Sequence, residues 1–221
     1  MGDLGRRTVT AAVYGAVVLV AIVAPPVVFW VALAIVALLG IAEVARLHAG
    51  ARGLILGAVF VAGLASLGIL RAAGSTGAHH ALAGELPVWL LLVLVPTWAA
   101  DIGAYLVGST LGRRKLAPRI SPGKTWEGTI AGLVLCGLAA FGVGATFGLG
   151  RAMVAAVAVL LGIVGLGGDL FESSVKRHAG VKDSGTLLPG HGGVLDRLDS
   201  TVTGAIFVAG VFFLGAASGL G

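Results

Sequence analysis

The chain has 221 residues, 57% of them hydrophobic and only 11% charged, with a mean hydropathy of +1.03. Soluble domains carry about a quarter charged residues, so the composition excludes a water-soluble globule and predicts an all-α, polytopic membrane helix bundle, a single integral domain over residues 1–221. The formal charge of +5 reads as membrane topology and attraction to anionic lipid and does not suggest nucleic acid, so no nucleic-acid partner is expected.

Abundant glycine, 37 residues, lets helices approach closely in lipid and lacks the three-residue period of collagen. The single cysteine, Cys136, lies in an apolar run, rules out an intramolecular disulfide and reads as a small core residue.

A membrane-crossing helix needs about 20 apolar residues, and the candidate spans in chain order are 8–24, 27–45, 53–70, 87–107, 128–149, 152–169 and 200–219. Arg6 and Arg7 precede the first run as they would in a secretory leader. Pro25-Pro26 and a second apolar run follow it with no polar domain, so it reads as a retained helix. The first and third runs are short enough for a tilted or re-entrant segment, and the proline pair breaks the first hairpin because proline lacks the amide donor.

Seven spans put the amino terminus and the linkers 46–52, 108–127 and 170–199 on one side. Of the 15 lysines and arginines, only Arg71 and Arg151 then fall on the other, which makes the crowded side cytoplasmic. The expectation is an inner or plasma membrane protein whose active site faces the cytoplasm. The opposite loop, 71–87, carries His79 and His80, which read as a solvent-exposed pair. Residues 1–85 form helices without a motif, whereas 86–221 contain the two long linkers and the acids beside them.

Asp101 lies in PTWAADIGAYLVG, about 9 Å inside the cytoplasmic end of its helix at 1.5 Å per residue. Thr97 and Tyr105 share its face and can hydrogen-bond a polar ligand; an interhelical bond to a hydroxyl is the alternative. Asp169, Glu172 and Lys176 recur at spacings that align them on one helix face, with Gly165, Gly167 and Gly168 upstream permitting a bend or a close approach. Asp169 is read either as a metal or ligand carboxylate or as a helix-end acid paired with Lys176 or Arg177.

Asp196 and Asp199 stand one turn apart before the last span and repel unless protonated, paired or bridged. Asp169 and Asp196 come from neighbouring helix ends at similar depth. The sharper reading is a shared Mg²⁺, a hard cation that binds carboxylates and substrate phosphates together. An ion-pair network with Arg197 is the plainer one.

Gly123-Lys124-Thr125 looks like part of a nucleotide-binding loop. That loop needs a glycine where this chain has Pro118, and a strand leading into a helix; neither is expected here. What remains is a local anion site: Lys124 as a point charge, the hydroxyls of Ser121 and Thr125, and the amides of the next helix. The second linker repeats these ingredients with Ser173, Ser174, Lys176, Arg177, Lys182, Ser184 and Thr186. Gly190, Gly192 and Gly193 flank His191 and permit backbone amides to close on a phosphate.

These residues resemble the phosphatidate cytidylyltransferase (CDP-diacylglycerol synthase) family. Its signature reads here SSVKRHAGVKDSGTLLPGHGGVLDRLD, Ser173 to Asp199, and DIGAYLVG from Asp101 and SPGKTWEG from Ser121 precede it in order. The resemblance covers roughly Leu86 to the carboxyl terminus. It implies that Asp169 and Asp196 bind one or two catalytic cations with Lys176 close by. It also implies that Arg177, Lys182, Asp183, His191, Gly192 and Gly193 line the nucleotide and phosphate cleft, beside Asp101, Ser121, Lys124, Thr125, Ser173, Arg197 and Asp199. A homodimer in membrane lipid is a further expectation.

The implied reaction joins CTP and phosphatidate, giving CDP-diacylglycerol and pyrophosphate. A phosphomonoester with a second pKa near 6 to 7 is largely dianionic at neutral pH, so a strong base is unnecessary and cation donors carry the catalysis. His191 is expected to donate a hydrogen bond to phosphate, with acid–base catalysis as the alternative. Two competing functions are a CTP-dependent lipid kinase, which releases CDP, and a transporter, which calls for polar groups near mid-membrane and repeated halves. A purely structural membrane protein leaves the dense linker without a purpose.

Overall fold

A computed structural model describes residue 13 and residues 15–73, 86–187 and 192–218. Residues 15–23 are helical, and the Pro25-Pro26 pair separates them from α1 (Pro26–Leu47). Pro26 opens that helix, where a missing amide costs nothing because the first-turn amides have no intrahelical partner. There follow α2 (Gly50–Ala72), α3 (Val88–Thr110), α4 (Trp126–Phe147), α5 (Arg151–His178) and α6 (Leu195–Ser218).

All six named helices are long and apolar enough to cross a membrane, which makes this a multi-pass membrane protein. Large apolar side chains such as Leu38, Leu54 and Leu214 point outward, as lipid contact requires. Of the expected first span, 8–24, residues 8–12 and 14 lie outside the described residues and 15–23 are helical. The third run, 53–70, is part of the 23-residue helix α2, which is long and apolar enough to cross.

Two helices depart from the apolar runs that predict them. The run 152–169 becomes α5, which continues to His178, and the run 200–219 becomes α6, which already starts at Leu195. Hydropathy marks only the part of a helix that sits in hydrocarbon; the backbone ladder needs no apolar side chains and continues beyond it. The glycines of α5 neither end nor break it. Gly168 and Gly165 instead lie where α6 comes closest, against Thr203 and Ser200.

The tightest helix pair is α3 against α4. A Cβ at Gly128 would stand 2.6 Å from the carbonyl oxygen of Ala104, and one at Gly132 would stand 2.8 Å from that of Ala100. This is the small-residue packing that substitutes for apolar driving force in lipid. Helix α6 packs against α2, α3 and α5, and the buried core gathers Phe60, Leu70, Leu90, Leu161, Leu195 and Val208 between them.

The linker between α3 and α4 is not irregular coil. Lys115–Ala117 (β1) and Ser121–Thr125 (β2) form an antiparallel hairpin with Lys115 opposite Thr125 and Ala117 opposite Ser121. Strand β2 runs directly into α4, so the strand-to-helix junction that the sequence argued against is present. The glycine spacing of a nucleotide-binding loop is still absent, and this strand belongs to a two-stranded hairpin. Glu127 secures the junction by accepting hydrogen bonds from the amides of Arg113 and Arg114.

Candidate active site

The polar residues meet at one end of the bundle, formed by the carboxyl-terminal ends of α1, α3 and α5, the start of α6, and the hairpin leading into α4. The two linkers are joined directly. Arg177 donates from Nε to the Ile120 carbonyl at 3.1 Å and from a terminal nitrogen to the Val181 carbonyl at 2.7 Å, tying the tip of the hairpin to the chain beyond α5.

Lys124, at the end of β2, forms an ion pair with Asp169 of α5, whose other carboxylate oxygen accepts from the Ser173 hydroxyl at 3.3 Å. This pair borders a cavity of about 470 Å³ between α3, α4 and α5. Asp101, Tyr105, Ser121 and Thr125 also line it, and its deeper wall is made of Gly132, Leu133, Cys136 and Gly162. A charged mouth above a wall of small and apolar residues suits a ligand with an anionic end and a hydrocarbon end.

Thr97 and Thr125 stand on that wall with their hydroxyls engaged. Thr97 donates to the Val93 carbonyl at 2.8 Å, and the Thr125 oxygen caps α4 by accepting from the Gly128 amide at 3.2 Å. Cys136 is buried as expected, but it also lines the cavity.

A second cluster lies one turn further along α5. Lys176, only 8% exposed in its side chain, donates to Glu172 at 2.9 Å and pairs with Asp196 of α6. The other oxygen of Asp196 accepts from the Gly193 amide at 2.7 Å, the Ser184 amide at 2.8 Å and the Ser184 hydroxyl at 2.9 Å. Burying an ion pair is costly unless the remaining lone pairs are satisfied, and here backbone amides satisfy them.

Asp169 and Asp196 thus belong to two linked clusters on the α5–α6 face, each carboxylate matched with its own lysine. The charge of Asp169 acts on Asp101, Glu172 and Asp199, and that of Asp196 acts on Glu172.

The other expected residues divide by position. Lys182, Asp183 and Arg197 are exposed, and Ser121 and Ser173 sit close to Lys124 and Asp169. Gly192 takes a positive φ of 81°, the conformation its glycine permits. Gly193 is buried where a Cβ would collide with Ser184 and Glu43. Asp199 accepts from the Ser200 amide at 2.7 Å. His191 lies outside the described residues.

Three members went unassigned from sequence. Glu172 was seen on the right face but given no role, Ser184 was one hydroxyl among several, and Glu43 was passed over because α1 carries no motif. Only the spacing of Glu172 to Lys176 was a usable signal.

No group of three or more His, Cys, Asp or Glu side chains able to hold a metal occurs among the described residues. The donor set nevertheless fits a hard cation that keeps waters and shares substrate phosphates. Asp169 and Asp196 offer carboxylate oxygens of the kind Mg²⁺ takes, each matched here with its own lysine, so a cation would share or replace Lys124 or Lys176.

The site thus combines lysine-matched carboxylates with a cavity descending between apolar, membrane-length helices. Residues 84–214 match the cytidylyltransferase family, and the chain belongs to it. It is 44% identical over 133 residues to a phosphatidate cytidylyltransferase of Haemophilus influenzae, covering 56% of this chain and 45% of that protein. It is 48% identical over 120 residues to a phosphatidate cytidylyltransferase of Pseudomonas aeruginosa, covering 53% and 44%. The uncharacterized protein YnbB of Escherichia coli is 47% identical over 131 residues, covering 59% and 42%. The chain therefore spans somewhat less than half the length of the curated relatives it matches.

Proposed function

We propose that this protein is a phosphatidate cytidylyltransferase, transferring CMP from CTP to phosphatidate to give CDP-diacylglycerol and pyrophosphate. The observation that carries this reading is the pairing of Lys124 with Asp169 at the mouth of a cavity whose deeper wall is apolar, two helical turns along α5 from Lys176, which pairs with Asp196 of α6. Such a mouth serves a nucleotide arriving from water and a lipid phosphate arriving from the leaflet. The family membership and the names of the relatives support the same chemistry. The concentration of lysine and arginine in the linkers supports a cytoplasmic orientation.

In this mechanism an oxygen of the lipid phosphomonoester attacks the α-phosphorus of CTP in line, and the bond to the pyrophosphate oxygen breaks. The nucleophile is already dianionic near neutral pH, so the protein's task is to bring two anions together and stabilise the charge that develops. Lys124 turns from Asp169 to a phosphate oxygen while its hairpin stays clamped by Arg177. Lys176 holds Asp196 and Glu172 in register, and Lys182 and Arg197 add exposed positive charge at the entrance.

Asp169 and Asp196 are the residues that would hold Mg²⁺, with Lys124 and Lys176 sharing or yielding their carboxylates. When bound, the ion would lower the repulsion between the substrates and neutralise the leaving pyrophosphate. On this reading residues 86–221 hold the catalytic helices and linkers, and residues 1–85 are amino-terminal helices without a motif of their own.

The test is a product assay with purified protein, Mg²⁺, labelled CTP and phosphatidate in mixed micelles. Labelled CDP-lipid and pyrophosphate in equal amounts are expected, with turnover abolished by a chelator and restored by Mg²⁺. Release of CDP would identify a lipid kinase instead. A folded preparation making neither product across several divalent ions would overturn the assignment.

A further inference from the structure

Glu43 stands outside the family-matched residues 84–214, near the end of a helix whose only other charged residue is Arg46, yet it is 4% exposed and its carboxylate reaches into the site. One oxygen accepts from the Val194 amide at 2.9 Å. The other accepts from the Leu195 amide at 3.0 Å and lies 2.9 Å from the Ser184 hydroxyl. Val194 and Leu195 are the entry to α6, where unpaired amides and the helix dipole favour a negative charge. The Ser184 hydroxyl is also 2.9 Å from Asp196. With one hydrogen to give, it sits between two carboxylates and fixes their separation.

Gly193 keeps this arrangement compact, because a side chain there would occupy the space of both Ser184 and Glu43. The loop from Ser184 and the first turn of α6 are thus held from two directions: by Asp196 from within α6 and by Glu43 from α1. Asp196 presents its remaining oxygen to Lys176 only while that turn and Ser184 stay in place.

We infer that Glu43 is a positioning residue for the transfer reaction: through Ser184 and the amides of Val194 and Leu195 it sets Asp196 against Lys176. The helix pair that looks like a membrane anchor therefore supplies part of the active-site scaffold. The inference rests on the nucleotidyl-transfer reading above, and one arm of its test does not depend on that reading.

Glu43→Gln in the full chain keeps the volume and one acceptor but replaces the other with a donor facing an amide. Hydrogen exchange is expected to speed up about tenfold in residues 183–187 and 192–196 and to stay at wild-type rates in α3 and α4, because local openings are separable from global unfolding. A slight misplacement of the acid should lower kcat about 10- to 100-fold while leaving the KM for CTP within about threefold. Glu43→Asp, which retains the charge on a shorter reach, should recover part of the loss.

Exchange that rises evenly through the bundle would mean a general packing role and overturn the inference, as would kcat within about twofold of wild type. If Glu43→Gln does not fold, Ser184→Ala removes only the bridging hydroxyl and is expected to lower kcat severalfold; unchanged turnover there would equally overturn it. Should the wild type make no CDP-lipid, the functional reading fails, and the exchange measurement still decides whether Glu43 orders this turn.

Discussion

Helices α1 and α2 and helices α3 to α6 are built from the same apolar alphabet but use their polar residues differently. In the first pair polar groups are sparse: Arg71 reaches the Ala24 carbonyl at 3.3 Å, Ser66 bonds its own helix, and Glu43 alone enters the site. In the later helices the polar residues gather at one end and bond one another across elements. The comparison teaches that motif density tells where substrates are handled, but not where the scaffold of the site stops.

The largest expected effect lies in the later helices. Asp169→Asn keeps the shape of the side chain but removes the charge that Lys124 and a cation would share. Turnover with CTP and phosphatidate should fall about 10²- to 10³-fold, the scale of losing a principal electrostatic contact. A rate near wild type would remove Asp169 from the mechanism and blur the contrast between the two regions.

Lys176→Met comes next, because it leaves Glu172 and Asp196 buried without their cation. Removing one partner of such a cluster costs about 3–5 kcal/mol, which thermal unfolding in detergent would register together with lost activity. Recovery of stability in the double variant Lys176→Met with Glu172→Gln would show that the unpaired charge was the cause.

A smaller effect is expected at the contact between the regions. Gly193→Ala forces a methyl group toward Ser184 and Glu43, and overpacking of this kind costs about 1–3 kcal/mol. Thermal unfolding measures it, and a neutral result would mean that this turn is looser than its contacts imply. The smallest belongs to the lipid-facing surface of α1. Leu38, 71% exposed to the surroundings of the bundle, should tolerate alanine within about 0.5 kcal/mol and without loss of turnover. If Leu38→Ala were as harmful as Glu43→Gln, α1 would be acting by packing and not through one carboxylate.

How much of this is legible in the sequence differs between features. The helices were, because spans of about 20 apolar residues have few structural solutions in lipid. The alignment of Asp169, Glu172 and Lys176 on one helix face was, because they repeat at helical spacing, whereas their division between two clusters was not. The hairpin at 115–125 was hidden: its strands are short and polar, and a proline and a glycine in β2 lower strand propensity. The end of α5 was hidden too, since hydropathy falls silent where the helix leaves hydrocarbon.

By itself, then, the sequence determined a bundle of membrane-crossing helices with its polar chemistry collected at one end, since composition and period are local properties of the chain. Only the tertiary structure decided which lysine meets which acid and that Glu43 closes on the start of α6. Those contacts join residues up to 152 positions apart, and their geometry depends on how helices cross, which no local pattern encodes.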